Sequence, residues 1–153
     1  MTEEQSFRPF VQVACICQAP LQEANGGLSI IRITERILVA GTTDEMQPWP
    51  VQNLFLVIVL KAGFLRQKAI IKVDTVTPSG KVEPGPEWPA LFEGDDRGVA
   101  ICVPFGLIAT EEGLYWIDVL VEKERLTRIP FRVIYQKMQQ QPGFPFQPPA
   151  PIR

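Results

Sequence analysis

The sequence contains no histidine among its 153 residues. This absence excludes the Ser-His and Cys-His pairs of nucleophilic catalysis, histidine proton shuttles and most zinc sites. Glycine-rich phosphate loops, the GxSxG elbow and the metalloprotease helix are missing as well. Because no catalytic motif remains, the sequence predicts a protein that is not an enzyme and that uses no cofactor.

A long apolar run and a leader segment are also lacking. The strongest apolar run covers only residues 54–60, whereas a membrane helix needs about 20 such residues. The first six residues are acidic rather than basic, unlike the start of a secretory signal. These features predict a cytoplasmic protein without a membrane partner.

Cysteine is scarce, and neither charge sign dominates. The three cysteines are Cys15, Cys17 and Cys102, and an odd number in a short chain is a poor disulfide framework. We therefore expect reduced, buried thiols. Fifteen basic and 17 acidic residues give a net charge of -2, too mild to indicate a polyanionic partner. The sequence thus predicts no nucleic-acid partner.

Most of the chain alternates apolar and polar residues with a period of two, and turn signals separate these segments. Such a pattern is typical of antiparallel sandwiches and barrels. We predict an all-β, antiparallel immunoglobulin-like β-sandwich of about seven to nine strands over residues 8–136. One predicted strand spans 28–39 and two others span 53–61 and 68–76, while the proline-rich segment 77–89 is predicted to be a loop.

The segment from Glu111 to Tyr115 favours the immunoglobulin-like form of the sandwich. It resembles a tyrosine corner, in which a buried tyrosine hydroxyl bonds back to the preceding loop. The usual cysteine is replaced by Ile117, so the predicted sandwich has no disulfide. Nearby, Asp118 shares a predicted strand face with apolar residues and needs a partner if it is buried; Arg32 and Arg132 are the candidates.

Two loops contain candidate binding residues. Trp49 and Trp88 are flanked by prolines, and exposed aromatic side chains on loops can contact a sugar or a protein; the alternative is that they close the ends of the sandwich. Glu93, Asp95 and Asp96 are weak candidates for calcium ligands, with Asp44 and Glu45 as further donors. An ordinary solvated turn, with Asp96 capping backbone amides, is the alternative.

After Tyr135 the composition changes, and residues 137–153 are predicted to form a flexible tail rich in proline and glutamine. The tail carries two aromatic residues, Phe144 and Phe146, among PxxP-like prolines. Segments of this kind can dock into aromatic grooves. A passive flexible end is the alternative interpretation.

Several motifs resemble a family of uncharacterised bacterial proteins. The segments that carry the resemblance are 15–18, 27–33, 92–98, 113–119 and 126–133. The resemblance spans roughly residues 8–136 and omits the tail. It implies a small β-sandwich of bacterial origin and no particular reaction, so no catalytic residue follows from it.

Taken together, these patterns predict a non-enzymatic protein-interaction or structural β-sandwich module, with another protein as its possible partner. Its contacts would come from Trp49, Trp88, Phe144 and Phe146. The alternative is a ligand-binding sandwich that takes a carbohydrate or a calcium-dependent ligand through the loop tryptophans and the acidic loop. The sequence does not decide the oligomeric state.

Overall fold

The computed structural model of the protein describes residues 8–139 and 150–151. The described residues are organised as β-strands and loops, without a helix. The nine strands are β1 (Phe10–Gln22), β2 (Leu28–Ile33), β3 (Arg36–Gly41), β4 (Trp49–Pro50), β5 (Phe55–Val76), β6 (Val82–Pro104), β7 (Ile108–Ala109), β8 (Gly113–Val121) and β9 (Glu124–Lys137). The prediction of an all-β fold is confirmed.

Strand β5 organises the main sheet because its two halves have different neighbours. Residues 55–61 pair with β1 and with the end of β6, whereas residues 71–76 pair with β8 and with the start of β6. Gly63, with a φ of 58°, lies between the halves at a shift in register. The full strand order is β2-β1-β5-β8-β9-β3, with β6 also paired to β5.

Both halves of the sheet contribute to one hydrophobic core. The first half provides Ile16 and Ile58, and the second provides Ile117 and Phe131. The rings of Phe105 and Phe131 meet edge to face, with centroids 5.2 Å apart. Edge-to-face packing of this kind adds to the free energy gained from burial.

The sheet is mixed, so the prediction of a wholly antiparallel sheet is wrong. The predicted strand 28–39 is interrupted after Ile33: β2 pairs antiparallel with β1, and β3 pairs parallel with β9. Arg32 has a φ of 55° close to this break. The predicted strand 28–39 is therefore two strands with different neighbours.

The predicted loop 77–89 is also wrong over most of its length, because β6 begins at Val82. Pro84, Pro86 and Pro89 lie within this strand. Proline is tolerated there because β6 pairs only with β5, so its other edge needs no backbone donors. Similarly, segments 53–61 and 68–76 are parts of the single strand β5 rather than separate strands.

The tyrosine corner is confirmed at the start of β8. The Tyr115 ring is buried, its hydroxyl donates to the carbonyl of Glu111 at 2.7 Å, and the Glu111 amide donates to the hydroxyl at 3.2 Å. These two bonds attach the 110–113 loop to the core.

All three cysteines are free, and Cys15 and Cys17 are buried as expected, whereas Cys102 is exposed. The prediction of a buried thiol is therefore wrong for Cys102. The described residues contain no helix that is long and apolar enough to cross a membrane.

Candidate functional site

Four arginines and one tryptophan are gathered on the outer side of strands β3, β8 and β9. On β9 the side chains alternate, so Phe131 and Val133 face the core while Arg132 faces outward. We call this surface the arginine face. It comprises Arg36, Trp116, Arg125, Arg128 and Arg132.

The register of the parallel pair places Arg36 of β3 directly opposite Arg132 of β9. Both residues are exposed. Neither guanidinium has an ion-pair partner among residues 8–139. Like charges on directly opposed strand positions repel each other, and an anion bound between them would remove that repulsion.

Further along β8, Asp118 lies opposite Arg128 and anchors the other two arginines of the face. Its Oδ1 accepts from Arg128 Nε at 2.9 Å, its Oδ2 accepts from Arg128 Nη2 at 3.2 Å, and Arg125 Nη1 lies 3.8 Å from Oδ2. Asp118 is only 8% exposed. The prediction that a buried Asp118 needs a partner holds, but the predicted partners Arg32 and Arg132 are wrong. Arg128 faces Asp118 because the β8–β9 register pairs these two positions.

The guanidinium of Arg128 lies over the indole ring of Trp116. The Arg128 Cζ lies 4.9 Å from the centroid of the indole ring, a cation–π distance. The hydrogen bonds that Arg128 donates to Asp118 raise the pKa of Arg128 above its ordinary value, so this cation stays charged at any working pH. The orientation of the Arg128 guanidinium is therefore fixed by the carboxylate of Asp118 and by the ring of Trp116.

The arginine face is locally basic although the chain as a whole is acidic. Its four arginines are balanced by one carboxylate, Asp118. On the neighbouring strand β5, Lys72 is 3.4 Å from Asp74 and 4.0 Å from Glu87, so its charge is already compensated there. The arrangement can bind phosphate or carboxylate oxygens through planar guanidinium groups, which suit such ligands geometrically.

The two predicted contact tryptophans lie apart on different sheets. Trp49 is in the small β4–β7 sheet, opposite Ala109, and is 48% exposed. Trp88 is on β6 rather than in a loop, where it lies opposite Ile71 and packs partly buried against the core. The role of either residue in binding stays a prediction.

The predicted metal candidates form a bulged segment of β6. Asp95 is 3.1 Å from Arg66, and Glu93 is 3.4 Å from Arg97. Asp44 forms an ion pair with Lys137 and lines a depression with Glu111 and Glu112 instead. Within the described part of the chain, no three acidic or cysteine side chains converge as a metal site would require. The calcium interpretation stays a prediction.

The predicted tail contacts Phe144 and Phe146 lie outside the described residues. Conversely, sequence reasoning missed Trp116 and Arg36. Both occupy outward positions on their strands: Trp116 meets Arg128 across the β8–β9 hairpin, whereas Arg36 reaches Arg132 only through the long-range pairing of β3 with β9. A search for an aromatic residue on the strand next to Arg128, rather than on the same strand, could have found Trp116.

Comparisons with known proteins give likenesses to solved structures. No family model matches the chain, and no curated protein matches it. Among solved structures, the chain is similar to the alkylpurine DNA glycosylase AlkC of Pseudomonas fluorescens, bound to DNA containing an abasic site analog. The TM-score is 0.47 and the identity 12%, over 83% of this chain and 30% of the glycosylase. The chain therefore spans less than a third of the length of that protein.

This comparison contradicts two predictions from the sequence. This neighbour is a DNA glycosylase bound to DNA, so the predicted non-enzymatic module, with its carbohydrate or calcium alternative, is wrong on this comparison. The exclusion of a nucleic-acid partner is wrong as well. That exclusion was based on the net charge, which averages over the whole surface, whereas the four arginines lie on one face. The match itself assigns neither an activity nor a partner to this chain, and the prediction that it is not an enzyme stays a prediction.

Proposed function

We propose that the protein binds nucleic acid through the arginine face, with phosphate groups seated between Arg36 and Arg132. The observation that carries this proposal is the direct opposition of these two exposed arginines without an acidic partner in the described chain. A phosphate diester supplies the missing negative charge and two oxygens that can each accept from a guanidinium.

Trp116 and Arg128 extend this surface toward the bases. The Arg128 guanidinium lies over the indole and is held there by Asp118. Its outer face is available to solvent, since the side chain is 35% exposed. Guanidinium planes and aromatic rings are the groups on which unstacked bases stack. The phosphate contacts provide most of the affinity, and the Arg128 plane contributes a sequence-tolerant contact.

The test is a titration of fluorescein-labelled, mixed-sequence oligonucleotides, followed by anisotropy at several salt concentrations. The variant Arg36→Gln/Arg132→Gln is compared with Lys61→Gln/Lys81→Gln, which removes the same charge from the first half of β5 and from the β5–β6 turn, outside β3, β8 and β9. We expect the arginine variant to weaken binding about 10- to 100-fold and to reduce the salt slope by about two. The lysine variant is expected to stay within about twofold of the parent.

Two results would overturn the proposal. One is an absence of salt-dependent binding by the parent protein to both single-stranded and duplex probes. The other is an equal loss of affinity in the arginine and lysine variants, which would show that only total charge matters. Circular dichroism of each variant verifies that the strands are retained.

We also propose that the two halves of the sheet form an immunoglobulin-like sandwich, from a bacterial family, in a reducing cytoplasm. The shared core and the tyrosine corner support the sandwich, and the free cysteines support a reducing compartment. Alkylation of the thiols in lysate of the native source, before any reductant is added, tests the compartment. Recovery of oxidised Cys15 or Cys17 would contradict it.

A further inference from the structure

Strand β3 ends the sheet on the side of the arginine face. Within the described residues, its one neighbouring strand is β9. The carbonyl of Glu35 accepts from the Arg132 amide at 2.8 Å, and the carbonyl of Gly41 accepts from the Met138 amide. In a parallel ladder, alternate residues direct their backbone groups to the same neighbour. Odd-numbered residues of β3 therefore bond to β9, and Arg36, Leu38 and Ala40 direct their amides and carbonyls away from the sheet.

The described chain covers its other edges differently. Strand β6 carries several prolines along its outer edge, and proline at an edge prevents pairing. Strand β2 is distorted by the positive φ of Arg32 near its end. By contrast, β3 contains neither proline nor lysine, its φ values are all negative, and Leu38 is 62% exposed. A regular, apolar edge of this kind is a template for another strand.

We propose that β3 pairs antiparallel with β3 of a second copy of this chain, about a two-fold axis at Leu38. In this register Leu38 lies opposite its symmetry mate, and Arg36 lies opposite Ala40 of the second copy. The three outward-directed residues of each copy then exchange about six hydrogen bonds. Because Ala40 of the second copy lies opposite Arg36, the two Arg36 side chains are kept apart. Ala40 is small and uncharged, so it leaves room for the arginine.

The symmetry makes this pairing self-limiting. An isologous two-fold contact uses the same edge on both copies and closes after two. It joins the two arginine faces side by side on one continuous sheet, with the Leu38 pair at its centre. The inference rests on the backbone of β3 and is independent of nucleic-acid binding.

The test is sedimentation velocity of the full chain from about 1 to 500 µM, comparing the parent with Leu38→Pro and Leu38→Thr. The Leu38 amide does not bond to β9, so proline there removes only outward-directed donors and is compatible with an edge strand. We expect a concentration-dependent dimer whose Kd rises at least about tenfold in Leu38→Pro. Leu38→Thr keeps the amide and is expected to retain the dimer with a smaller loss.

A second measurement identifies which strand edge forms the interface between the two copies, and it remains informative if Leu38→Pro fails to fold. On a Cys102→Ser background, which removes the exposed thiol, Leu38→Cys is treated with a short bismaleimide, and Ile31→Cys on β2 is the control. Opposed residues of a hydrogen-bonded pair lie about 5.5 Å apart, so we expect cross-linked dimer only from Leu38→Cys. A monomer throughout the concentration range, or cross-linking through Ile31→Cys instead, would overturn the proposal.

Discussion

The two halves of the main sheet have outer faces of opposite character. Around β3, β8 and β9 the outer side chains are arginines with one anchoring carboxylate. Around β1 and the first half of β5 they are apolar, with Cys15, Cys17 and Val57 buried in a cluster separate from the main core. The sequence shows this difference within one strand: residues 54–60 are uniformly apolar, whereas 68–76 alternate. A strand that is buried on both faces loses its alternation.

The comparison shows where each half places its polar groups. In the first half, neighbouring apolar side chains such as Val13, Phe55 and Val59 cover the second cluster. In the second half, the outer face bears charges that need ion-pair partners or ligands. We therefore expect the first half to be sensitive to polarity and the second to be sensitive to charge pairing.

The largest effect is expected from a charge on the apolar outer face. Val57→Asp places a carboxylate at a fully buried position without a cationic partner in the cluster. We expect a loss of about 3–5 kcal/mol in the free energy of unfolding, measured by urea denaturation. Ile134→Asp, on the outer face of the second half at 37% exposure, is the control, with an expected change below about 1 kcal/mol. Equal losses would remove the distinction between the two faces.

A smaller effect is expected when the anchoring carboxylate of the arginine face is neutralised. Asp118→Asn weakens both hydrogen bonds from Arg128, and we expect a cost of about 1–3 kcal/mol because these bonds involve charged groups in a half-buried setting. Asp95→Asn, which breaks the exposed pair with Arg66, is expected to cost less than about 0.5 kcal/mol. If thermal and urea denaturation do not distinguish the two variants, Asp118 is not an anchor.

The smallest effect concerns pH and the thiols of the apolar face. Burial, followed by the proximity of the neighbouring cysteines, raises the pKa of Cys15 above its ordinary value, and burial also raises that of Cys17. The folded state therefore favours the neutral thiols. Their contribution to stability is complete below the unfolded pKa of about 8.5 and is lost as the pH rises toward the folded values.

Urea denaturation from pH 7 to 10 measures this decline. In Cys15→Ala/Cys17→Ala we expect a shallower decline, and Cys102→Ala, which alters the exposed thiol, is expected to match the parent. An identical slope in all three proteins would show that the buried thiols do not contribute. At pH 8, a thiol reagent is expected to modify Cys102 first, because Cys102 is exposed whereas Cys15 and Cys17 are buried.

The sequence predicted features that depend on local patterns. The alternation on β8 and β9 and the spacing of Glu111 and Tyr115 are local signals, and both identified the correct elements. Buried Cys15 and Cys17 followed from residue type. These features are determined within a few residues of chain, so one sequence contains them.

The features that the sequence missed depend on strands far apart in the chain. The parallel pairing of β3 with β9 joins residues from the two ends of the domain, and no local pattern specifies it. The register that opposes Arg36 and Arg132 follows from this pairing. Likewise, the prolines of β6 indicate a loop unless it is known that only one side of the strand is paired. Arg36 was missed because it meets Arg132 only through the pairing of β3 with β9.

The hairpin of β5 and β6 also has a consequence for the order of folding. Its turn is short, since Val76 faces Val82, and the Thr77 amide donates to the carbonyl of Lys81. From that turn the pairing extends into both halves of the sheet, so closing it costs little chain entropy at each step. The β3–β9 pair must close nearly the whole domain and gains its contacts only afterwards. We therefore expect the hairpin to belong to the folding nucleus, and substitutions in β3 to accelerate unfolding while leaving the folding rate almost unchanged.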